Sequence, residues 1–139
     1  MPTQAFSTRC WSEREQSIHS AYKTLAGRSI EWAGVYRSEH GDFKDLASHT
    51  VSYETEDRCF VTADGKWAGE AHYSYRKLDQ RMAIVFYRPE RYQGRSDVVL
   101  YAMLDFEQGT DRAVILAGGE PFAVAEGRMR EVPTPPRPR

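Results

Sequence analysis

The residues in this chain that could do chemistry are carboxylates, a histidine and phenols set on stretches otherwise built for burial. Glu54, Glu70, His72, Arg76 and Asp79 stand out, with Tyr36, Tyr53, Tyr73, Tyr75, Tyr87 and Tyr101 around them. A carboxyl group facing an apolar hollow is costly to ionise, so its pKa rises and it can act as a general acid near neutral pH. A nearby tyrosine can orient a phenol or carbonyl through its hydroxyl. Alternation along strands offers a second origin for the same pattern, in which Glu70 and Arg76 mark a wet outer face. The four histidines, His19, His40, His49 and His72, have no partner histidine at i+2 or i+4. A metal site is therefore not expected. The chain contains no GxGxxG, P-loop, GxSxG or HExxH signature.

Those candidates need elements to position them, and strands dominate the pattern. Residues 51–62, 70–77, 82–88 and 97–106 are rich in Val, Ile, Phe and Tyr. Ala63-Asp64-Gly65-Lys66, Lys77-Leu78-Asp79-Gln80 and Arg88-Pro89-Glu90 break them apart. Residues 112–117 and 122–132 add two strands, after turns at Gln108-Gly109-Thr110-Asp111 and Gly118-Gly119-Glu120-Pro121. Residues 29–37 form the first strand, where Gly34 predicts a bend or bulge. Spacing this close leaves no room for crossover helices, so neighbours should pair antiparallel and the sheet should curl into a small barrel. Function in such barrels usually lies in the hollow.

Alternation sorts the faces. Val51 and Tyr53 share one face, with Ser52 and Glu54 opposite; Ala71, Tyr73 and Tyr75 share another, with Glu70 and His72 opposite. Strand parity decides which candidates point inward, and a one-residue slip reverses all of them. Residues 82–87 and 98–106 are apolar on both faces, which suits a wall covered by another element or by a second copy in a homodimer.

Ahead of the strands, Ser12-Glu13-Arg14-Glu15 fits a capping box. Ile18, Ala21, Tyr22 and Leu25 follow at helical spacing, and Gly27 closes the helix. The expected layout is a loose segment 1–11, one domain over 12–132, and a disordered Pro/Arg tail over 133–139.

Bulk composition narrows the class. The 139 residues suit one domain that folds without metals or disulfides. With 19 basic and 20 acidic residues, the formal charge of −1 gives no electrostatic case for nucleic acid or a membrane surface. Cys10 and Cys59 form no CxxC pair and fit a reducing cytoplasm. No apolar run approaches the roughly 20 residues needed to span a bilayer. Eight tyrosines, six phenylalanines and three tryptophans suit strands and binding pockets alike.

Several short motifs carry a family likeness. His49-Thr50-Val51-Ser52-Tyr53 resembles the HTVxY stretch of the phenolic acid decarboxylases. Ala26-Gly27-Arg28 resembles that family's entry to its first strand. Leu78-Asp79-Gln80 through Phe86-Tyr87-Arg88-Pro89-Glu90 resembles its acid-bearing strand and the turn after it. Ser96-Asp97-Val98-Val99-Leu100 and Leu104-Asp105-Phe106 resemble the next strand. The layout over residues 26–116 is also similar to the MoaF-like proteins. Both groups have a calycin, lipocalin-like barrel, so the resemblance implies that fold.

Carried over by position, the family's acid falls on Asp79, or on Glu70 in a rival register. The arginine after the HTVxY tyrosine falls on Glu54, which reverses the charge where the family holds a carboxylate. The family's first-strand tyrosine pair falls near Trp32 and Gly34, with Tyr36 the nearest phenol. Three parts of that site are changed, which argues against phenolic acid decarboxylation.

The resulting expectation is a cofactor-free enzyme acting on a small apolar or aromatic metabolite in a biosynthetic setting, by lyase, isomerase or cyclase chemistry. Asp79 or Glu70 would be the acid and Glu54 the base. Trp32, Tyr36, Tyr53, His72, Tyr73 and Tyr75 would bind the substrate. The alternative is a carrier of the same fold with no chemistry.

Overall fold

A computed structural model describes residues 22–40 and 46–138. Among the described residues the chain forms eight strands: β1 (Arg28–Arg37), β2 (Ser48–Tyr53), β3 (Arg58–Ala63), β4 (Lys66–Lys77), β5 (Met82–Pro89), β6 (Val98–Asp105), β7 (Thr110–Ala117) and β8 (Glu120–Val132). Each pairs antiparallel with the next, and β8 returns to β1, closing a barrel with no free edge. The fold class expected from the sequence, a small antiparallel barrel, is the one observed. The helix expected from Ser12 lies largely outside the described residues. Its last part, residues 22–27, is turn and irregular backbone rather than helix. Arg28 N–H donates to Leu25 O at 3.0 Å, and Gly27 takes a φ of 84° that a side chain would oppose.

The hairpin at Asp64-Gly65 has positive φ at both central residues, as a two-residue turn matched to strand twist requires. Gly34 plays a different part from the expected bend or bulge. The β1–β8 register runs unbroken through Gly34↔Gly127. The register shifts fall instead at Val61/Thr62 and Ile115/Leu116. A Cβ on Gly34 would lie 2.1 Å from Glu126 O and 2.5 Å from Gly127 Cα, so the position serves close backbone approach.

Inward side chains make two clusters. Leu25, Ile30, Tyr53, Tyr73, Val85 and Leu104, with Tyr22 and Phe106 against them, fill the end where the chain enters β1. Val98, Ile115, Ala117 and Ala123, with Tyr36, Tyr92 and Phe122, fill part of the other end. Outside, Phe86, Tyr101, Val114 and Val124 are register neighbours across β5 to β8. They form an apolar strip on the outer wall.

The C-terminal segment expected to be disordered is instead seated on the outer wall. Ser29 Oγ lies 2.8 Å from both Ser52 Oγ and Thr134 Oγ1. The Arg137 guanidinium stands 5.1 Å from the Phe60 ring and 4.9 Å from the Trp67 ring, and it donates to Glu54 Oε1 at 2.8 Å. Phe60 is outward on β3 yet only 2 % exposed. Proline stiffens the segment, so less entropy is lost when it docks. Removing residues 133–139 should lower stability by about 2 kcal/mol, from the apolar area uncovered at Phe60 and the lost hydroxyl contacts. An unchanged urea midpoint would show that the segment contributes nothing.

Candidate functional site

The hollow left between the two clusters is a cavity of about 930 Å³. Ile30, Trp32 and Tyr36 of β1, Val51 and Tyr53 of β2, Cys59 and Val61 of β3 line it. Ala71 of β4, Tyr87 of β5, Leu100 and Ala102 of β6, Asp111 and Ala113 of β7, and Ala125 of β8 complete the interior wall. Residues 46–49, 63–64, 66–70 and 91–93 surround its mouth. Volume and lining suit one small organic ligand.

Asp111 is the one carboxylate on this interior wall among the described residues. It stands near the start of β7, on the inward face shared with Ala113, Ile115 and Ala117. The surface it keeps faces the cavity. Burial pushes its carboxyl up to about 7 from the ordinary 3.8. Among the described residues no side chain or backbone amide hydrogen-bonds to that carboxyl. Its charge adds to the raised pKa of Tyr36, Tyr53 and Tyr87, after burial in each case.

Two glycines and a tryptophan set this arrangement. Gly127 of β8 is the register partner of both Gly34 and Asp111. Trp32 reaches across it, and a Cβ on Gly127 would meet Trp32 Cε2 at 2.4 Å. The indole N–H then donates to Asp111 O at 3.1 Å. Trp32 is thus a positioning residue for the Asp111 backbone, and it is itself only 4 % exposed.

His49 flanks Trp32, with ring centroids 5.1 Å apart. Its Nδ1–H donates to Leu46 O at 2.9 Å, because a carbonyl can only accept. That leaves Nε2 as an acceptor. Burial lowers the His49 pKa, against a smaller opposite effect of the Leu46 bond, so the ring is neutral at pH 7. The Tyr53 and Tyr87 hydroxyls are hydrogen-bonded to each other. The Cys59 thiol is pushed up to about 12 by burial and stays protonated. The wall therefore offers a carboxyl that exchanges its proton near neutrality, a neutral imidazole and two linked phenols.

Of the candidates taken from the sequence, Trp32, Tyr36 and Tyr53 line the cavity. Tyr73 and Tyr75 point inward but below it. Tyr73 donates to Thr55 O at 2.5 Å, and Tyr75 donates to Tyr22 O. Glu70 borders the mouth, where its carboxylate meets Arg58 at 2.8 Å and Arg137 at 3.6 Å. His72 faces outward and accepts from Arg58 at 2.8 Å. Glu54 is outside, bound to Arg137. Asp79 sits in the β4–β5 turn, where Oδ1 accepts from the Arg81 and Met82 amides, each at 2.8 Å. Glu54, Glu70 and His72 are thus brought together around Arg58 and Arg137 outside the barrel interior, and Asp79 stands apart from them. Asp111 was missed because Gln108-Gly109-Thr110-Asp111 reads as a turn. The usable signal was an aspartate two residues before Ala113 and four before Ile115, on their face.

Among the described residues no group of three or more His, Cys, Asp and Glu could hold a metal ion. No helix there is long and apolar enough to cross a membrane. No family model matches the chain, and no curated protein matches it. Among solved structures it is similar to "a putative beta-lactamase from Burkholderia vietnamiensis", with a TM-score of 0.53 and 20 % identity, over 78 % of this chain and 95 % of that one. At that identity the likeness shows the barrel fold alone.

Proposed function

We propose that this barrel is a cofactor-free enzyme that performs acid–base chemistry on a small apolar or aromatic molecule held in its cavity. One observation carries the reading: the Asp111 carboxyl, half-buried on the inner wall and without a partner among the described residues, faces a hollow of about 930 Å³. A lone buried carboxyl costs stability, and such groups concentrate at sites where chemistry needs them. In this reading Asp111 donates a proton to the bound molecule, and His49 Nε2 accepts one from it. Proton donation and removal at two positions of one molecule is isomerase, lyase or cyclase chemistry, with no electrons gained or lost. The calycin-like identity implied by the HTVxY resemblance fits the closed up-and-down barrel. The acid moves from Asp79 or Glu70 to Asp111.

The test is incubation with a metabolite extract of the host, followed by mass spectrometry of bound and depleted species. Asp111→Asn should still retain the bound molecule while its conversion falls at least about 100-fold. Retention with no conversion by either protein would make this a carrier.

A further inference from the structure

We propose that the ligand this cavity selects is an apolar molecule carrying a protonated nitrogen, seated with that nitrogen against Asp111, and that carboxylates of the same shape are turned away. The inference rests on the reading of the hollow as a small-molecule site and adds the charge of what fills it.

Three observations support it. First, among the described residues the carboxyl on the inner wall has no cation beside it: Lys66 and Arg91 lie only at the mouth, and Arg112 on β7 points outward. A carboxylate facing an apolar hollow without a cation is a site lacking half of an ion pair. Second, the side chains nearest in electrostatic reach are aromatic. Tyr36, Tyr53 and Tyr87 each feel the Asp111 charge, and a ring face attracts a cation. Third, inside the mouth, where Asp64, Lys66, Glu70 and Arg91 stand, the titratable groups facing the hollow besides Asp111 are Tyr36 from β1, His49 and Tyr53 from β2, Cys59 from β3, Tyr87 from β5 and Tyr92 from the β5–β6 loop. All are neutral at pH 7, so none competes with a ligand for the Asp111 charge.

The same geometry serves the proposed chemistry. When Asp111 gives up its proton, its O–H bond breaks and a new bond joins that proton to the substrate. The substrate becomes a cation beside a carboxylate. Loss of another substrate proton to His49 Nε2 returns it to neutrality. A protonated amine presents these charges from the start and so resembles the state the site must stabilise.

Calorimetry with 2-phenylethylamine, 2-phenylethanol and phenylacetate, at pH 6 and pH 8, tests this on the full chain and on Asp111→Asn. With the carboxyl titrating at about 7, its ionised fraction rises about tenfold between these conditions. Amine affinity should rise about tenfold with it and exceed that of the alcohol at pH 8. In Asp111→Asn both the rise and the preference should vanish, while the alcohol still binds. Phenylacetate binding as tightly as the amine, or an amine affinity unchanged by the substitution, overturns the inference and leaves the cavity reading in place, provided the alcohol binds. Failure of all three to bind at millimolar concentration overturns both. Should the variant misfold, the pH profile of the unsubstituted protein decides the question: a flat amine affinity between pH 6 and pH 8 overturns the inference.

Discussion

Asp111→Asn should make this protein more stable at pH 8, with Tm rising by roughly 6–10 °C. The Asp111 carboxyl titrates at about 7 in the folded barrel against an ordinary 3.8. Between those values the folded state holds a proton that the unfolded chain has released. Stability therefore falls as pH rises through this window, and the loss is complete above pH 7. At 1.36 kcal/mol per pH unit the destabilisation is on the order of 4 kcal/mol. Asparagine still places an amide there, so about half should be recovered. Below pH 4, where Asp111 is protonated folded and unfolded, the order should reverse and the variant should be the less stable by about 2 kcal/mol. Scanning calorimetry from pH 4 to 8 checks this. A lower Tm for the variant at pH 8 would mean that Asp111 is a stabilising, partnered residue. Gain of stability on removing a polar group, with loss of turnover, is the signature of a site held against the interest of the fold.

Gly34→Ala should lose about 3 kcal/mol or more, because its Cβ would stand 2.1 Å from Glu126 O, and neither backbone can retreat without breaking the β1–β8 ladder. Gly127→Ala should cost a similar amount by a different route. Its Cβ would meet Trp32 Cε2 at 2.4 Å and Ala33 O at 2.6 Å. Displacing Trp32 also withdraws its hydrogen bond from Asp111 O. A Cβ on Gly34 also meets Trp32 Cζ2, at 2.8 Å, but its closer contacts are backbone, so Trp32→Leu should partly rescue Gly127→Ala and rescue Gly34→Ala much less. Ala33→Ser, on the outer face of β1, should melt within about 1 °C of the parent. Thermal unfolding followed by near-UV circular dichroism reads both the stability and the indole environment. Equal rescue at both glycines would refute the slot described for Trp32.

The site was only partly legible in the sequence. Alternation put Tyr53 with Val51 and set Glu54 opposite, and the barrel keeps that order. It likewise put Tyr73 and Tyr75 opposite Glu70 and His72. Once the tyrosines are inside, those acids must be outside, so the two sets of candidates could not share one cavity. Asp79 is a turn residue whose carboxylate serves backbone amides, a role that the Leu78-Asp79-Gln80 turn signal already contained.

What the sequence by itself determined is local: strand existence, antiparallel order, the Asp64-Gly65 turn and the facing of side chains within each strand. These follow from pleat and turn geometry, which act over a few residues. Only the tertiary structure decided the rest. Closure of β8 on β1 brings Gly34, Gly127 and Asp111 side by side from positions far apart in the chain. It also lays the Pro/Arg segment over Phe60. An aspartate at a turn is ordinary until distant strands take water from it, and that loss of water is what raises the Asp111 pKa.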